Sequence, residues 1–482
     1  MRRRIVVLAV ALSTIGCTVG PTYHRPAIAG VSAFKEAPPD GWKEAQPNDG
    51  IPRDGWWEMY NDPQLSELAS KVQLSNQNVI AAMARYRQAR DQVRLARAAL
   101  FPTVTATPSV LFTRGSGTSS RGNLITTNTT SNGAGSNVNF AMPFDVSYQA
   151  DIWGNIRRSV TAAADLAQAS AADLENATLT FQAQLAQIYF ELHGLDADAD
   201  LLRRTVTLFE QSLQLTEDRF AAGIASGADV AQAKTQLDST RAQLIDVGVG
   251  RAQFEHAIAT LIGETPASVS IPPKLVTTPP PVIPLGLPST LMERRPDVTA
   301  MERAVAAANE QIGIAKAAYF PVLTLGGTGG FLSTSLEQLF TLPSRFWSVG
   351  PQLAATLFDG GRRHAQVELS EAAYDESVAN YRQTVLTAFQ QVEDQLSSLR
   401  ILEQEAATEA EAVKAAQESV DILTLQYTAG TTDYLPVIVS QAALLQSQRQ
   451  AIDILTRRLT ASVLLIEALG GGWDASQLPN GK

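Results

Sequence analysis

Four stretches of this chain alternate apolar and polar residues over more than the roughly 5–6 residues of an ordinary strand. In Pro102–Thr113 the even positions include Val104, Ala106, Val110 and Phe112, and Thr103, Thr105, Thr107 and Ser109 stand between them. In Asn137–Ile152, Val138, Phe140, Met142, Phe144, Val146 and Tyr148 point one way, and Asn139, Asp145, Ser147 and Gln149 the other. Val322–Phe331 sets Leu323, Leu325 and Phe331 against Thr324 and Thr328, with glycines between. Phe346–Phe358 sets Trp347, Val349, Leu353 and Leu357 against Ser348, Gln352 and Thr356. A period of two puts successive side chains on opposite faces of a sheet. One apolar and one polar face is the pattern of a barrel with lipid outside and water inside. A soluble sandwich alternates too, but its strands are shorter.

The stretches come as two hairpins. One encloses Arg114–Ser136, rich in Gly, Ser, Thr and Asn, and the other roughly Leu332–Arg345. Such loops suit the solvent-facing end of a barrel. Four strands cannot close a barrel, since the smallest closed membrane barrels have about eight. An open sheet in lipid leaves unpaired backbone groups that each cost several kcal/mol. The chain is therefore expected to oligomerise. Two copies give eight strands and three give twelve, and periodicity does not choose between them.

The beginning of the chain reads as an export signal. Arg2, Arg3 and Arg4 precede the apolar run Ile5–Leu12, far short of the roughly 20 residues of a spanning helix. Residues 1–16 are expected to be a signal peptide. Thr14, Ile15 and Gly16 then lead to Cys17, the sole cysteine of the chain. One cysteine makes no internal disulfide. The segment resembles a bacterial lipobox, with Thr14 where Leu is usual, which implies acylation of Cys17. Thr18, in place of an aspartate, favours the outer membrane. The alternative is a chance cysteine beside an ordinary cleavage site. Elsewhere no uncharged apolar run reaches spanning length, so a spanning chain must use a barrel.

Between the hairpins the rhythm becomes seven. Leu174, Phe181, Ile188, Leu195, Leu202, Phe209 and Thr216 form one column, and Thr178, Leu185, Leu192, Ala199, Val206, Leu213 and Phe220 its companion. A later column runs Val385, Val392, Leu399, Ala406, Val413, Val420 and Tyr427. Sustained heptads predict coiled-coil packing. Long helices are expected over 156–222 and 362–428, each about 100 Å at 1.5 Å per residue. Shorter helices are expected over Gln64–Leu100, Ala228–Ile262, Val298–Tyr319 and Leu435–Leu469.

The chain also resembles itself. Leu95–Pro102 (LARAALFP) matches Ile314–Pro321 (IAKAAYFP), and Phe220–Gly223 (FAAG) matches Tyr427–Gly430 (YTAG). An ungapped offset of 207 pairs Val230 with Val437, Leu237 with Leu444, Asp246 with Asp453, and Gly263 with Gly470. The expected organisation is thus internally duplicated. An N-terminal extended segment (17–61) precedes a first repeat (62–264), with hairpin 102–152, long helix 156–222 and return helix 228–262. The Pro-rich linker 265–290 leads to a second repeat (291–470), with hairpin 321–358, long helix 362–428 and return helix 435–469. A tail (471–482) follows. Gly223 and Gly430 end the long helices in the left-handed cap that reverses a chain, about 100 Å from the sheet.

Chemistry-bearing constellations are not found. The four histidines, His24, His193, His256 and His364, have no metal-ligand spacing. His193, beside Gly194, reads as an outward helix position. There is no phosphate loop or nucleophile elbow. A net charge of −10 opposes nucleic-acid binding. No enzyme, cofactor or metal is expected. A non-conducting stalk would use the rods but not the lipid-facing hairpins.

Several local stretches carry a family resemblance over nearly the whole mature chain: Trp57–Leu65 (WEMYNDPQL), Leu291–Val298 (LMERRPDV), Leu357–Arg362 (LFDGGR) and Ala468–Trp473 (ALGGGW). Together with the architecture they resemble the TolC-like outer-membrane efflux channel family, in particular its lipoprotein branch. The resemblance implies a homotrimer whose twelve-strand barrel sits on a helical tunnel crossing the periplasm. It implies docking with a periplasmic adaptor protein and an inner-membrane pump, usually of the resistance–nodulation–division type. The channel is then passive and exports drugs or other small molecules. A type I protein-secretion duct would use the same fold.

The resemblance also places a gate at the periplasmic end. Asp229 falls where the family's first repeat carries a constricting aspartate. In the second repeat the matching positions are Pro436 and Val439, neither acidic, although Asp433 lies one turn nearer the glycine. Leu435 falls where the lipoprotein branch carries an apolar constriction. A plainer reading of Asp229 and Asp433 is helix capping after the glycine turn.

Overall fold

The computed structural model describes residues 18–27, 34–36, 39, 55–114, 136–275, 277–284 and 291–478. Cys17 and the signal segment lie outside the described residues, as does most of the first hairpin loop. After a short 3-10 turn (Trp56–Tyr60) come α1 (Pro63–Ser75), α2 (Gln77–Ala98), β1 (Thr103–Ala106), β2 (Ser109–Arg114) and β3 (Ser136–Ala150). The long α3 (Asn155–Ala221) and the return helix α4 (Gly227–Leu261) follow. Beyond the linker come α5 (Pro296–Ala317), β4 (Val322–Ser333), β5 (Arg345–Ala354), α6 (Arg362–Thr428) and α7 (Tyr434–Ala468). α3 and α6 are each 67 residues long, α4 and α7 each 35, and α2 and α5 each 22. Among the described residues no helix is long and apolar enough to cross a membrane.

The sheet is antiparallel throughout, in the order β1/β2, β3, β4, β5. β1 and β2 are one strand path interrupted at Thr107 and Pro108. Ala106 faces Phe144 and Ser109 faces Ala141, so the register is unbroken. The expected single strand is split because Pro108 has no N–H to donate. β5 ends at Ala354, short of the expected Phe358. Direct cross-strand partners share a face, and the pairing collects the apolar columns on one side. Val104 faces Val146, Val146 faces Gly327 and Gly327 faces Val349; Leu323 faces Leu353.

The helices form a curved wall. Near the sheet its order is α2, α3, α5, α6; farther away it is α4, α3, α7, α6. The heptad columns lie inside this wall. Leu185, Leu192, Leu202 and Phe209 of α3 and Val385, Val392 and Leu399 of α6 are buried. The largest core sits halfway along, where α1, Trp56 and Trp57 cover α3 beside the ends of α4 and α7.

The expected helix Gln64–Leu100 is instead two helices, broken at Asn76. The Asn76 side chain caps α2 by accepting from Asn78 N and Val79 N at 2.9 and 3.2 Å. Its amide donates to the carbonyl of Leu261 at 2.8 Å, joining the end of α4 to the start of α2. Arg295 joins α7 to α5 in the same way, donating to the Ala468 carbonyl at 3.0 Å.

His193 corrects another expectation. It is buried, 1% exposed, not outward. Its Nδ1 bonds Asp196 at 2.8 Å and its ring stands edge-on to Tyr189. Arg251 Nε donates to the other Asp196 oxygen at 2.7 Å, and Lys274 N to the first at 3.1 Å. Lys274 Nζ reaches Asp62 at 2.6 Å. Burial opposes the charge on both aspartates, but these donors outweigh it and hold both carboxyls below the usual range. The cluster clamps the Pro-rich linker against α1, α3 and α4, with His193 and Asp196 from α3, Arg251 from α4, Lys274 from the linker and Asp62 from the cap of α1.

Candidate functional site: the sheet faces and the helix tips

The apolar face of the sheet is open. On the edge strand Trp347, Val349 and Leu353 are 79%, 75% and 68% exposed. The other face is polar and small. Thr105, Asp145, Thr328 and Ser348 form one row across all four strand paths, and Ser147, Gly326 and Gly350 the next. Thr328 Oγ1 donates to Asp145 Oδ1 at 2.6 Å. An apolar outer face beside a row of hydroxyls, a carboxylate and glycines fits a lipid–water boundary.

The sheet passes into the long helices through two similar turns. Asp151 accepts from Ile156 N and Arg157 N at 3.1 and 2.9 Å, covering free amides of the first turn of α3. Asp359 accepts from Gly361 N and Arg363 N at 3.1 and 3.3 Å at the head of α6. Val19 N donates to the Trp153 carbonyl at 3.1 Å, so the N-terminal strand of chain leaves from this level.

At the far end, α3 closes with Gly223 at φ 72° and α6 with Gly430 at φ 76°. Gly223 N donates to Phe220 O and Ile224 N to Arg219 O; Gly430 N donates to Tyr427 O and Thr431 N to Gln426 O. Both are Schellman caps, which need the left-handed residue that glycine provides.

Asp229 sits three residues inside α4, in a capping box. Its Oδ2 accepts from Ser226 N at 2.8 Å, while Ser226 Oγ accepts from Asp229 N at 3.2 Å. Asp433 occupies the cap position of α7, but its side chain makes no cap bond. The capping reading therefore holds for Asp229 and not for Asp433. Leu435 is 54% exposed, and Val439 one turn on is open as well.

The sequence pattern did not single out the clasp between these tips. Arg219 of α3 donates to the Tyr427 carbonyl at 2.9 Å, and its guanidinium lies 4.5 Å from the centre of the Tyr427 ring. Tyr427 leans on Tyr434 and donates to Thr216 Oγ1 at 3.4 Å. One signal was present: Phe220 and Tyr427 stand 207 residues apart in the similar stretches FAAG and YTAG. An open groove of 600 Å³ runs beside the clasp between α3, α6 and α7, floored by Leu208, Phe209, Leu425 and Leu444.

A wall of long helices under an amphipathic sheet is the geometry of a conduit. The outer membrane efflux protein family model matches residues 68–264 and 287–471. The chain is 32% identical over 426 residues to the pyoverdine export outer membrane protein OpmQ of Pseudomonas aeruginosa, covering 88% of each. It is 29% identical over 478 residues to the toluene efflux pump outer membrane protein TtgC of Pseudomonas putida, covering 98% of this chain and 96% of that one. The solved outer-membrane channel OprN is 26% identical and superposes with a TM-score of 0.86, over 95% of this chain and 100% of that one. The chain belongs to the outer membrane efflux protein family: it is an outer-membrane channel component of tripartite efflux systems, which work with adaptor proteins and inner-membrane pumps, and it is not an enzyme.

Proposed function

We propose that three copies form a passive exit duct for drugs or other small molecules, with a twelve-strand barrel on a helical tunnel that crosses the periplasm. The observation that carries this reading is the open edges of the protomer. Among the described residues β1 and β2 pair only with β3, and β5 pairs only with β4. Both outer edges are unpaired along an apolar face, which lipid does not tolerate unless further copies complete the sheet. The two halves, 62–264 and 291–470, are repeats of one unit joined by the linker 265–290. Cys17 carries the lipid: Thr18 lies against Gly154, at the foot of the sheet, where an acyl chain enters the membrane beside the barrel. The docking partners are an adaptor and a resistance–nodulation–division pump. The names of relatives, for toluene, antibiotics and pyoverdine, favour small-molecule cargo over polypeptide.

Asp229, Asp433 and Leu435 line the gate at the tips. Asp229 both caps α4 and contributes, threefold, to the field at the constriction. Leu435 adds an apolar ring.

Single-channel recording of the purified protein in a planar bilayer, alongside its native mass, tests the reading. The expected result is a trimer with small, mostly closed currents. Arg219→Ala, which opens the clasp, is expected to raise the open fraction. A monomer without conductance would sink the duct and return the stalk.

A further inference from the structure

The strands of the sheet hold three charged side chains, Arg114, Asp145 and Arg345. Arg114 pairs with Ser136 and Arg345 with Phe331, at the strand ends nearest the hairpin loops. Both share the parity of the apolar face. Asp145 differs in height and in face. It stands within β3, about 17 Å along the strand before the end at Ala150. It takes the polar face, in the row of Thr105, Thr328 and Ser348. Of the described strand residues on that face, it is the one that carries a charge.

The surroundings hold the carboxylate in place and leave it uncovered. Thr328 Oγ1 donates to Asp145 Oδ1 at 2.6 Å. Gly326 and Gly350 stand in the row on one side and Gly330 in the row on the other, and glycine has no side chain to cover a neighbour. Among the described residues no cation pairs with Asp145.

In a ring of three copies this carboxylate recurs three times at one height. Twelve strands spaced about 4.8 Å apart and tilted about 40° enclose a lumen about 24 Å wide between backbones. Each charge then lies about 12 Å or less from the axis. Salt screens fields over about 3 Å at 1 M, about 10 Å at 0.1 M and about 30 Å at 0.01 M. The ring therefore acts across the whole lumen in dilute salt and only along the wall in concentrated salt. Low-dielectric walls concentrate such a field. The helix tips lie about 100 Å away, many screening lengths, so their charges do not reach this level.

We propose that Asp145 is a selectivity residue of the membrane segment, and that its ring favours cationic over anionic solutes as they leave through the barrel. Thr328 fixes the carboxylate against the wall, and the glycines keep it open to passing solute. The proposal rests on the three-copy duct reading and adds a site within the membrane, separate from the tips.

The test reads the zero-current potential of many full-length channels in a planar bilayer, with 0.01 M potassium chloride on one side and 0.1 M on the other. Wild type is expected to pass potassium over chloride about fivefold, and Asp145→Asn about twofold or less. The amide keeps an acceptor for Thr328, and Asp229 at the tips is unchanged in both proteins. The difference between them is expected to shrink to within about 1.2-fold between 1 M and 3 M salt. A second variant sets the charge after assembly. Cys17 is the sole cysteine of the chain, so with Cys17 acylated Asp145→Cys carries the one free thiol. A sulfonate-bearing methanethiosulfonate is expected to restore the wild-type preference, and a trimethylammonium-bearing one to turn it toward chloride. Wild type treated in the same way should not change. An Asp145→Asn channel as cation-selective as wild type, a thiol that does not react, or a channel labelled by mass with unchanged preference would each overturn the proposal and leave the duct standing. A wild-type protein that is monomeric and non-conducting overturns both.

Discussion

The two places where a return helix hands over to a membrane-proximal helix are built on the same backbone with different chemistry. Gly263, at φ 74°, brings the end of α4 against the Ser75 carbonyl; Gly470, at φ 90°, brings the end of α7 against the Arg294 carbonyl. In each, the residue that opens the next helix donates to the last carbonyls of the previous one, Leu261 or Ala468. At the first joint that residue is Asn76, a neutral side chain that donates and accepts at once, set in the apolar core with Leu65, Val72 and Ile258. At the second it is Arg295. A guanidinium only donates, so it cannot cap its own helix. Pro296 removes one free amide, and Asp297 takes over the acceptor role. Asp297 binds Arg295 through both oxygens at 3.0 and 2.6 Å and accepts from Val298 N at 2.8 Å. Around it lies a polar cavity of 380 Å³ lined by Asn176, Thr180, Gln391, Gln395 and Glu467. The shared parts are the glycine and the carbonyl; the donor is free to vary if its surroundings vary with it.

The largest effect should come from exchanging the donors. Asn76→Arg places a charge at a position that is 1% exposed and bonded to neutral groups, and a buried unpaired charge costs several kcal/mol. Folded protein in the outer-membrane fraction is expected to fall below a tenth of wild type. The converse, Arg295→Asn with Asp297→Asn, reproduces the residues at 76 and 78 and removes both charges together. It is expected to melt within about 1 kcal/mol of wild type, since replacing a buried pair as a unit is often near neutral. Equal tolerance at both joints would break the comparison.

The glycines come next. A Cβ at Gly263 would stand 2.2 Å from the Ser75 oxygen, and one at Gly470 2.0 Å from the Arg294 oxygen. Backbone must move, in addition to the strain of a left-handed alanine. Gly263→Ala and Gly470→Ala are each expected to cost about 3 kcal/mol. Gly223 has the same backbone sign but open space around it. Gly223→Ala is therefore expected to cost about 1 kcal/mol. Thermal unfolding midpoints in detergent separate the two classes. Matching losses at 223 and 263 would mean that conformation alone, and not the close approach, fixes these glycines.

These joints mark where sequence reading stops. Strands and long helices were legible because their periods are written directly in side-chain order, over ten or more residues. The tips were legible through two glycines and an offset of 207. The break at Asn76 was not: an asparagine on a helical pattern looks like a surface position until the carbonyl of Leu261 arrives from a distant helix. His193 misled for the same reason, because Asp196, Arg251 and Lys274 meet only after folding. At the tips, Asp229 was legible as a cap, because Ser226 stands three residues before it at the start of the helix. The Arg219–Tyr427 clasp was hidden because its acceptor is a backbone carbonyl, which leaves no trace in residue type.

The smallest effect sharpens the comparison through pH. Burial pushes the Glu467 carboxyl above the ordinary glutamate range; the Thr180 hydroxyl and Arg295 draw it partly back, and Asp297 adds to the rise. A raised folded value means that the native state holds the proton more tightly than the unfolded chain does. The stability linked to this group is then complete below the unfolded value, about 4.3, and is lost as pH rises through the folded one. Glu467→Gln keeps an oxygen for the Thr180 hydroxyl and stays neutral at every pH. The variant is expected to melt about 2–4 °C higher than wild type at pH 8 and to converge with it near pH 4. The place of Glu467 at the first joint is taken by Thr260, whose hydroxyl donates to the His256 carbonyl, so no carboxylate stands at the matching position there. Melting curves of the two proteins that stay parallel from pH 4 to 8 would show that water in the cavity solvates the carboxylate fully. Charge at the second joint would then be no burden, and the difference between the joints would be one of hydrogen-bond geometry alone.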